Sequence, residues 1–84
     1  MSEETDAPAR LLVVNKSSNT LSIVNPGTRS EVAAVEVGYA PHEVAVSRDG
    51  RFAYVTDYGV GSRPGNTVSV VDLTRRERVR AIDL

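Results

Sequence analysis

Cysteine is absent from the 84 residues of this chain. Neither a disulfide nor a thiolate metal site can therefore brace a domain whose small size limits its buried fraction. The same absence says nothing about compartment. Charge of one sign is also lacking: 10 basic residues stand against 11 acidic ones, for a net charge of −1. No broad positive field exists to hold nucleic acid or an anionic membrane. Nor is there an apolar run of the roughly 18 residues that a membrane span requires. Met1 to Arg10 is polar and acidic, without the basic and apolar regions of a secretory signal. Read literally, the chain is expected to be soluble and cytoplasmic, with no membrane span and no nucleic-acid partner; a longer parent could be periplasmic or at the cell surface.

Chemistry-bearing patterns are scarce as well. No nucleophile and base fall into a recognisable arrangement. Gly59-Val60-Gly61 carries the first two glycines of a dinucleotide fingerprint, but no helical pattern follows it. Histidine occurs once, at His42, and with the single adjacent carboxylate of Glu43 it falls short of a metal set. No catalytic residue, metal or cofactor is expected.

What the chain does contain is strand character punctuated by turns. Residues 1–10, with Glu3, Glu4, Asp6 and Pro8, are expected to form a disordered acidic tail. Leu11-Leu12-Val13-Val14 reads as a short strand buried on both faces, and Lys16 to Asn19 as the turn after it. Thr20 to Val24 alternates as a strand until Asn25-Pro26-Gly27 ends it, and Glu31 to Val37 is the next strand. Gly38-Tyr39-Ala40-Pro41-His42 is expected to be a loop, because Pro41 restricts its predecessor and has no ladder donor. Glu43 to Ser47 and Arg51 to Asp57 should pair antiparallel across Asp49-Gly50, a dipeptide that favours a hairpin turn with positive φ. Tyr58 to Gly65 reads as a long loop with three glycines and a proline. Thr67 to Asp72 and Glu77 to Asp83 are the last strands, joined by a turn at Leu73 to Arg76.

These segments repeat. Leu12-Val13-Val14-Asn15 aligns with Tyr54-Val55-Thr56-Asp57, and Asn19 to Asn25 with Asn66 to Asp72. Val32, Ala34, Val35 and Val37 then meet Val79, Ala81, Ile82 and Leu84, and the extra length of the second copy lies wholly between Tyr58 and Gly65. A period of about 40–50 residues built from four short strands is the mark of a propeller blade. Tyr54-Val55-Thr56-Asp57 resembles the YVTN motif of YVTN-type β-propeller repeats, with Asp in place of the final Asn. Pro41-His42-Glu43-Val44-Ala45-Val46-Ser47-Arg48-Asp49-Gly50 is similar to that family's Pro-His-x-Val-Ala-Val-Ser-Pro-Asp-Gly, with Arg48 replacing Pro, and Asn66 to Asp72 to its Asn-Thr-Val-Ser-Val-Ile-Asp. The resemblance implies an all-β fold of two adjacent antiparallel blades forming a partial propeller. Residues 11–37 would be an incomplete first blade with strands B, C and D, and residues 38–84 a complete second blade with strands A to D. Because a ring needs about four to eight blades, the expected partners are further propeller blades or copies of the chain itself.

Strand order places the Gly38–His42 and Tyr58–Gly65 connections at one end of the blade and the Arg48–Arg51 and Leu73–Arg76 turns at the other. Loops on a rigid scaffold commonly carry function, so the candidate ligand-binding residues are Tyr39, His42, Glu43, Tyr58 and Arg63. For His42 two roles are open: a metal ligand or acid/base contributed once per blade, or an imidazole that satisfies loop carbonyls. Tyr39 and Tyr58 either stack on a ligand or pack between blades, and Arg63 either touches an anion or is a solvated charge. Asp57 and Asp72, at strand ends, read as caps of turn amides. Arg75, Arg76, Arg78 and Arg80 read as edge protection rather than a nucleic-acid contact, since no aromatic residues accompany them. The expected function is a non-enzymatic binding or scaffold module presenting these loops to a protein or small ligand. The alternative is a part of a propeller enzyme, because the resembled propellers include lactonases and the haem-d1 domain of cytochrome-type nitrite reductases, whose activities draw on several blades.

Overall fold

The computed structural model describes residues 9–84, so the proposed tail lies outside the described residues except for its last two positions. Seven strands follow one another: β1 (Leu11–Asn15), β2 (Thr20–Asn25), β3 (Ser30–Glu36), β4 (Pro41–Val46), β5 (Phe52–Val60), β6 (Arg63–Asp72) and β7 (Glu77–Asp83). Every pairing is antiparallel and sequential, giving one sheet in the order β1-β2-β3 and a second in the order β4-β5-β6-β7. This is the arrangement of two adjacent propeller blades, three-stranded and four-stranded. Among the described residues no helix is long and apolar enough to cross a membrane.

The repeat is visible in geometry as well as in sequence. A register shift falls between Ile23 and Val24 in the β2–β3 pair and between Val70 and Val71 in the β6–β7 pair, residues that align with each other. Asn25 closes the turn after β2 by accepting the Gly27 amide on Oδ1 at 2.9 Å and the Arg29 amide on its carbonyl at 2.8 Å. Asp72 does the same after β6, with the Thr74 and Arg75 amides on Oδ1 at 2.9 and 3.0 Å and the Arg76 amide on its carbonyl at 2.7 Å. Arg29 and Arg76 both adopt the left-handed conformation that this turn imposes, at φ 63° and 61°. One local code is thus executed twice, because short acceptors at the strand end satisfy the turn amides wherever they occur.

Period-two alternation decides which side chains meet between the sheets. Leu21, Ile23 and Val35 of the first sheet, with Val37 just beyond β3, pack against Ala53, Val55 and Val71 of the second, with Leu12, Val14, Val44 and Leu73 at the margin. Each fully buried Val, Leu or Ile contributes about 1.5–3 kcal/mol relative to exposure. The opposite faces of both sheets remain open.

Three expectations are corrected. Leu11 and Val13 are not buried; Leu11 is 53% exposed. The strand is an edge, and only its Leu12/Val14 side has a layer to pack on. Tyr58 to Gly65 is not a long loop, because β5 and β6 run on through Gly59↔Pro64 and Val60↔Arg63 and leave only Gly61 and Ser62 as the turn. Pro64 is tolerated there because β7 pairs with β6 only from Thr67 onward, so no ladder donor is missed. Finally, Pro41 and His42 belong to β4, with Pro41 at its first position and His42 bulged out of register between Pro41↔Asp57 and Glu43↔Thr56. The Asp49-Gly50 turn has the expected positive φ at Gly50, and the Ser47 hydroxyl donates to Asp49 and accepts the Phe52 amide.

Asp57 is 1% exposed and joins the two sheets. Its carboxylate accepts the Gly38 amide at 3.1 Å, the Thr67 hydroxyl at 2.7 Å and the Ser69 hydroxyl at 2.8 Å. Gly38 lies in the connection from β3 to β4, and a Cβ there would run into the Asp57 carboxyl group. Removing the carboxylate takes the acceptor from the Thr67 and Ser69 hydroxyls, each loss costing about 1–3 kcal/mol, and leaves the Gly38 amide only its second bond, to Ser69 Oγ at 3.1 Å. Asp57→Ala is therefore expected to lower the unfolding free energy by about 3 kcal/mol, and Gly38→Ala by about 2 kcal/mol through overpacking. Urea unfolding followed by far-UV circular dichroism measures both; a loss under about 0.5 kcal/mol in Asp57→Ala would show the network to be dispensable.

A pH dependence follows from Asp72 and Asp49. The Arg75 and Thr74 amides and the Arg51 guanidinium, 3.2 Å from Oδ2, hold the Asp72 carboxyl below its ordinary value of 3.8. The Ser47 hydroxyl and the Arg51 amide hold Asp49 below it too. A depressed folded value means stability that is present above the ordinary value and lost as pH falls through the depressed one. Stability should thus decline with acidification below the ordinary carboxylate range. In Asp72→Asn that decline should be shallower in pH-resolved urea titrations.

Candidate functional site

One end of the second sheet gathers the β3–β4 connection, the start of β4 and the β5–β6 hairpin. The sequence dictates this gathering through two special backbone positions. Ala40 takes φ 51°, unusual for a residue with a Cβ, and its amide donates to Asn19 Oδ1 at 2.8 Å. Gly59 takes φ 76°, and the space where a Cβ would stand is filled by the Arg63 carbonyl and the Gly65 amide. No other residue type fits there.

Gly59 then links both sides of the site through its own peptide groups. Its amide donates to the Tyr39 carbonyl at 3.1 Å, and its carbonyl lies 3.2 Å from His42 Nε2. A carbonyl only accepts, so Nε2 is the protonated nitrogen in this contact. His42 and Tyr58 are the residues displaced by neighbouring register shifts, and their rings meet tilted at 51° with centroids 5.2 Å apart. The Tyr58 hydroxyl reaches Glu43 Oε1 at 3.5 Å. On the other side of Gly59, the Arg63 guanidinium lies 4.1 Å from the centre of the Tyr39 ring, a contact worth about 0.5–1 kcal/mol at an exposed position.

All five sequence-derived candidates therefore stand at this end, in two groups. Tyr39 and Arg63 form one, His42, Tyr58 and Glu43 the other. Tyr58 is 49% exposed and Arg63 is exposed, while Tyr39 is half-buried beneath it. Neither tyrosine belongs to the packing between the sheets. The His42 ring spends one nitrogen on a main-chain carbonyl, and among the described residues no nucleophilic side chain is hydrogen-bonded to it. Among the described residues no three His, Cys, Asp or Glu side chains converge as a metal site would require. What the arrangement can do is present two aromatic rings, an imidazole and a guanidinium on a rigid rim.

Sequence reasoning missed Asn19 and Gly59. Asn19 signals itself only as a turn residue, and its bond to Ala40 spans the β1–β2 turn and the connection between the sheets. Gly59 stands among other glycines without a mark to separate it. Asp57 and Asp72 look alike in the sequence but diverge here: Asp72 caps a turn, whereas Asp57 holds the sheet connection.

No family model matches the chain, and no curated protein matches it. Among solved structures it is similar to Kuenenia stuttgartiensis hydrazine synthase, with 34% identity and a TM-score of 0.83, over 90% of this chain and 21% of that chain. The likeness is to a β-propeller-containing protein and agrees with the blade architecture. This chain accordingly spans only a minor part of the length of that protein.

Gly59→Ala is expected to destabilise the protein by about 2 kcal/mol, since it combines strain at positive φ with a backbone clash. Arg63→Ala should cost less than about 1 kcal/mol, because it removes one exposed cation–π contact. Urea unfolding of both variants tests the contrast; equal losses would mean that Arg63, not the Gly59 backbone, holds the hairpin in place.

Proposed function

We propose that this chain is a non-enzymatic binding or scaffold module, a segment of a YVTN-type propeller that presents Tyr39, His42, Glu43, Tyr58 and Arg63 at one rim. The observation that carries the reading is the use made of the one histidine. Its protonated nitrogen donates to the Gly59 carbonyl, its ring packs on Tyr58, and among the described residues no nucleophilic side chain is hydrogen-bonded to it. That geometry fixes a surface and lacks the base–nucleophile contact that acid/base or covalent chemistry needs. The exposed Arg63 fork over Tyr39 suits a carboxylate, and the flanking rings suit an apolar or aromatic neighbour of that carboxylate. A protein chain end or a small carboxylate ligand fits this chemistry.

A second reading draws on the likeness to hydrazine synthase, whose name denotes an enzyme. The blades would then be a supporting part of a larger catalytic protein, with the chemistry carried by residues beyond this segment. Both readings leave the chain itself without turnover.

Two measurements test the proposal. Citrate titrated into the 15N-labelled protein should shift the amides of Tyr39, Gly59 and Arg63 and leave the turns at Asp49 and Thr74 unmoved; no shifts, or shifts spread over both sheets, would remove the rim as a binding surface. Hydrolysis of p-nitrophenyl acetate and of a γ-lactone should stay at the buffer rate, whereas turnover abolished by His42→Ala would establish an enzyme.

A further inference from the structure

Each sheet has two faces, and the repeat makes the faces of one sheet equivalent to those of the other. Leu11, Val13, Asn15, Ser22 and Val24 share one face of the first sheet. Their aligned counterparts Ala53, Val55, Asp57, Ser69 and Val71 share one face of the second. Likewise Leu12, Leu21, Ile23 and Val35 correspond to Tyr54, Val68, Val70 and Ile82. Within the chain, the second face of sheet one packs on the first face of sheet two. One example of each kind is left open: Leu11/Val13/Val24 on sheet one, and Tyr54/Val68/Ile82 on sheet two.

We propose that these open faces are the two halves of one interface, by which copies of this chain join head to tail in the geometry already used between its own sheets. The inference rests on the blade architecture and not on the rim cluster, so it stands or falls separately from ligand binding. Several observations point to a second copy as the occupant. The open faces carry the same residue classes as the internal interface they would reproduce. Leu11, Val13, Tyr54, Ile82 and Leu84 are large apolar side chains left exposed on a small chain. An open concavity on sheet two is lined by Glu43, Ala45, Tyr54, Thr56 and Val68 of that outward face, together with Val44 of the inward one.

Polar groups agree with the same pairing. Inside the chain β3 lies beside β7, where Val35 and Glu36 approach Arg76 and Arg78. In the repeated contact β7 of one copy would lie beside β3 of the next. By the alignment Glu36 and Arg76 correspond to Asp83 and Arg29, so Asp83 of one copy would approach Arg29 of the next. The charges are opposite. Asn15 supplies a second indication: its Nδ2 donates to Thr20 and Ser22 at 3.0 and 2.8 Å, in the place where Asp57 holds Thr67 and Ser69. The polar layer of the internal interface is thus already assembled on the open face of sheet one. A contact of this kind joins unlike surfaces, so it propagates and closes into a ring when the rotation per copy allows.

Sedimentation velocity on the full chain over a wide concentration range tests the proposal. The wild type should sediment as a concentration-dependent oligomer. Leu11→Glu blocks one face and Tyr54→Glu the other; both sites are solvent-exposed, at 53% and 39%, so the sheets should keep their circular dichroism signal. Each variant alone should be monomeric, its self-affinity reduced at least about tenfold by a charge buried against an apolar surface. Mixed in equal amounts, the two should form a dimer, because each retains the face that the other has lost. A wild type that stays monomeric overturns the proposal, as does a mixture that stays monomeric. If either glutamate variant loses its sheet signal, Leu11→Ser and Tyr54→Ser take its place with the same expected outcomes.

Discussion

The buried Asp57 carboxylate and its grip on the Gly38 amide are the contact on which the rest of the structure depends. A carboxylate this far from water is tolerated only where donors surround it, and here Thr67 and Ser69 complete the set from the neighbouring strand. The bond catches the chain as it leaves the first sheet. It fixes where β4 begins, and so which face of the second sheet turns toward Leu21 and Ile23. Gly38 has no side chain because the Asp57 carboxyl group occupies that space.

Hydrophobic burial alone would not select this arrangement. The core is a modest set of aliphatic side chains, and each sheet offers apolar residues on both faces. Polar contacts break the tie. Asp57 binds the sheet connection from one side, and Asn19 takes the Ala40 amide from the other. Between them the linker is left few alternatives, and Ala40 is held in a left-handed conformation that an unconstrained alanine avoids. The rim is a consequence of the same restraint, since Tyr39 and His42 flank Ala40 and Pro41 and are carried to Gly59 by them.

Much of the fold was legible in the sequence because its signals are local. Alternation marks the strands, Asn25 and Asp72 mark the turns by supplying a short acceptor to nearby amides, and alignment of the two copies exposes the blade period. Where the reading failed, a non-local fact decided. Leu11-Leu12-Val13-Val14 has the composition of a doubly buried strand, yet whether a layer covers Leu11 is not written in those residues. Tyr58 to Gly65 has the composition of a loop, yet pairing across the bulge at Gly59 turns most of it into strand. The five rim residues could be collected at one end from strand order alone. Their pairing could not, because the Arg63–Tyr39 stack and the His42–Tyr58 contact depend on register shifts that no sequence pattern announces.

The sequence by itself determined strand content, turn positions, the antiparallel sequential order and the duplication, all of which follow from side-chain period and turn chemistry within a few residues. Tertiary structure alone decided that Asp57 is a buried junction while Asp72 is a turn cap. It also decided that Gly59 is the pivot of the rim, and that one apolar face of each sheet stays open. The physical reason is the same in each case. Strands and turns are set by neighbours along the chain, whereas burial, hydrogen-bond partnership and exposure are set by what a fold brings across space.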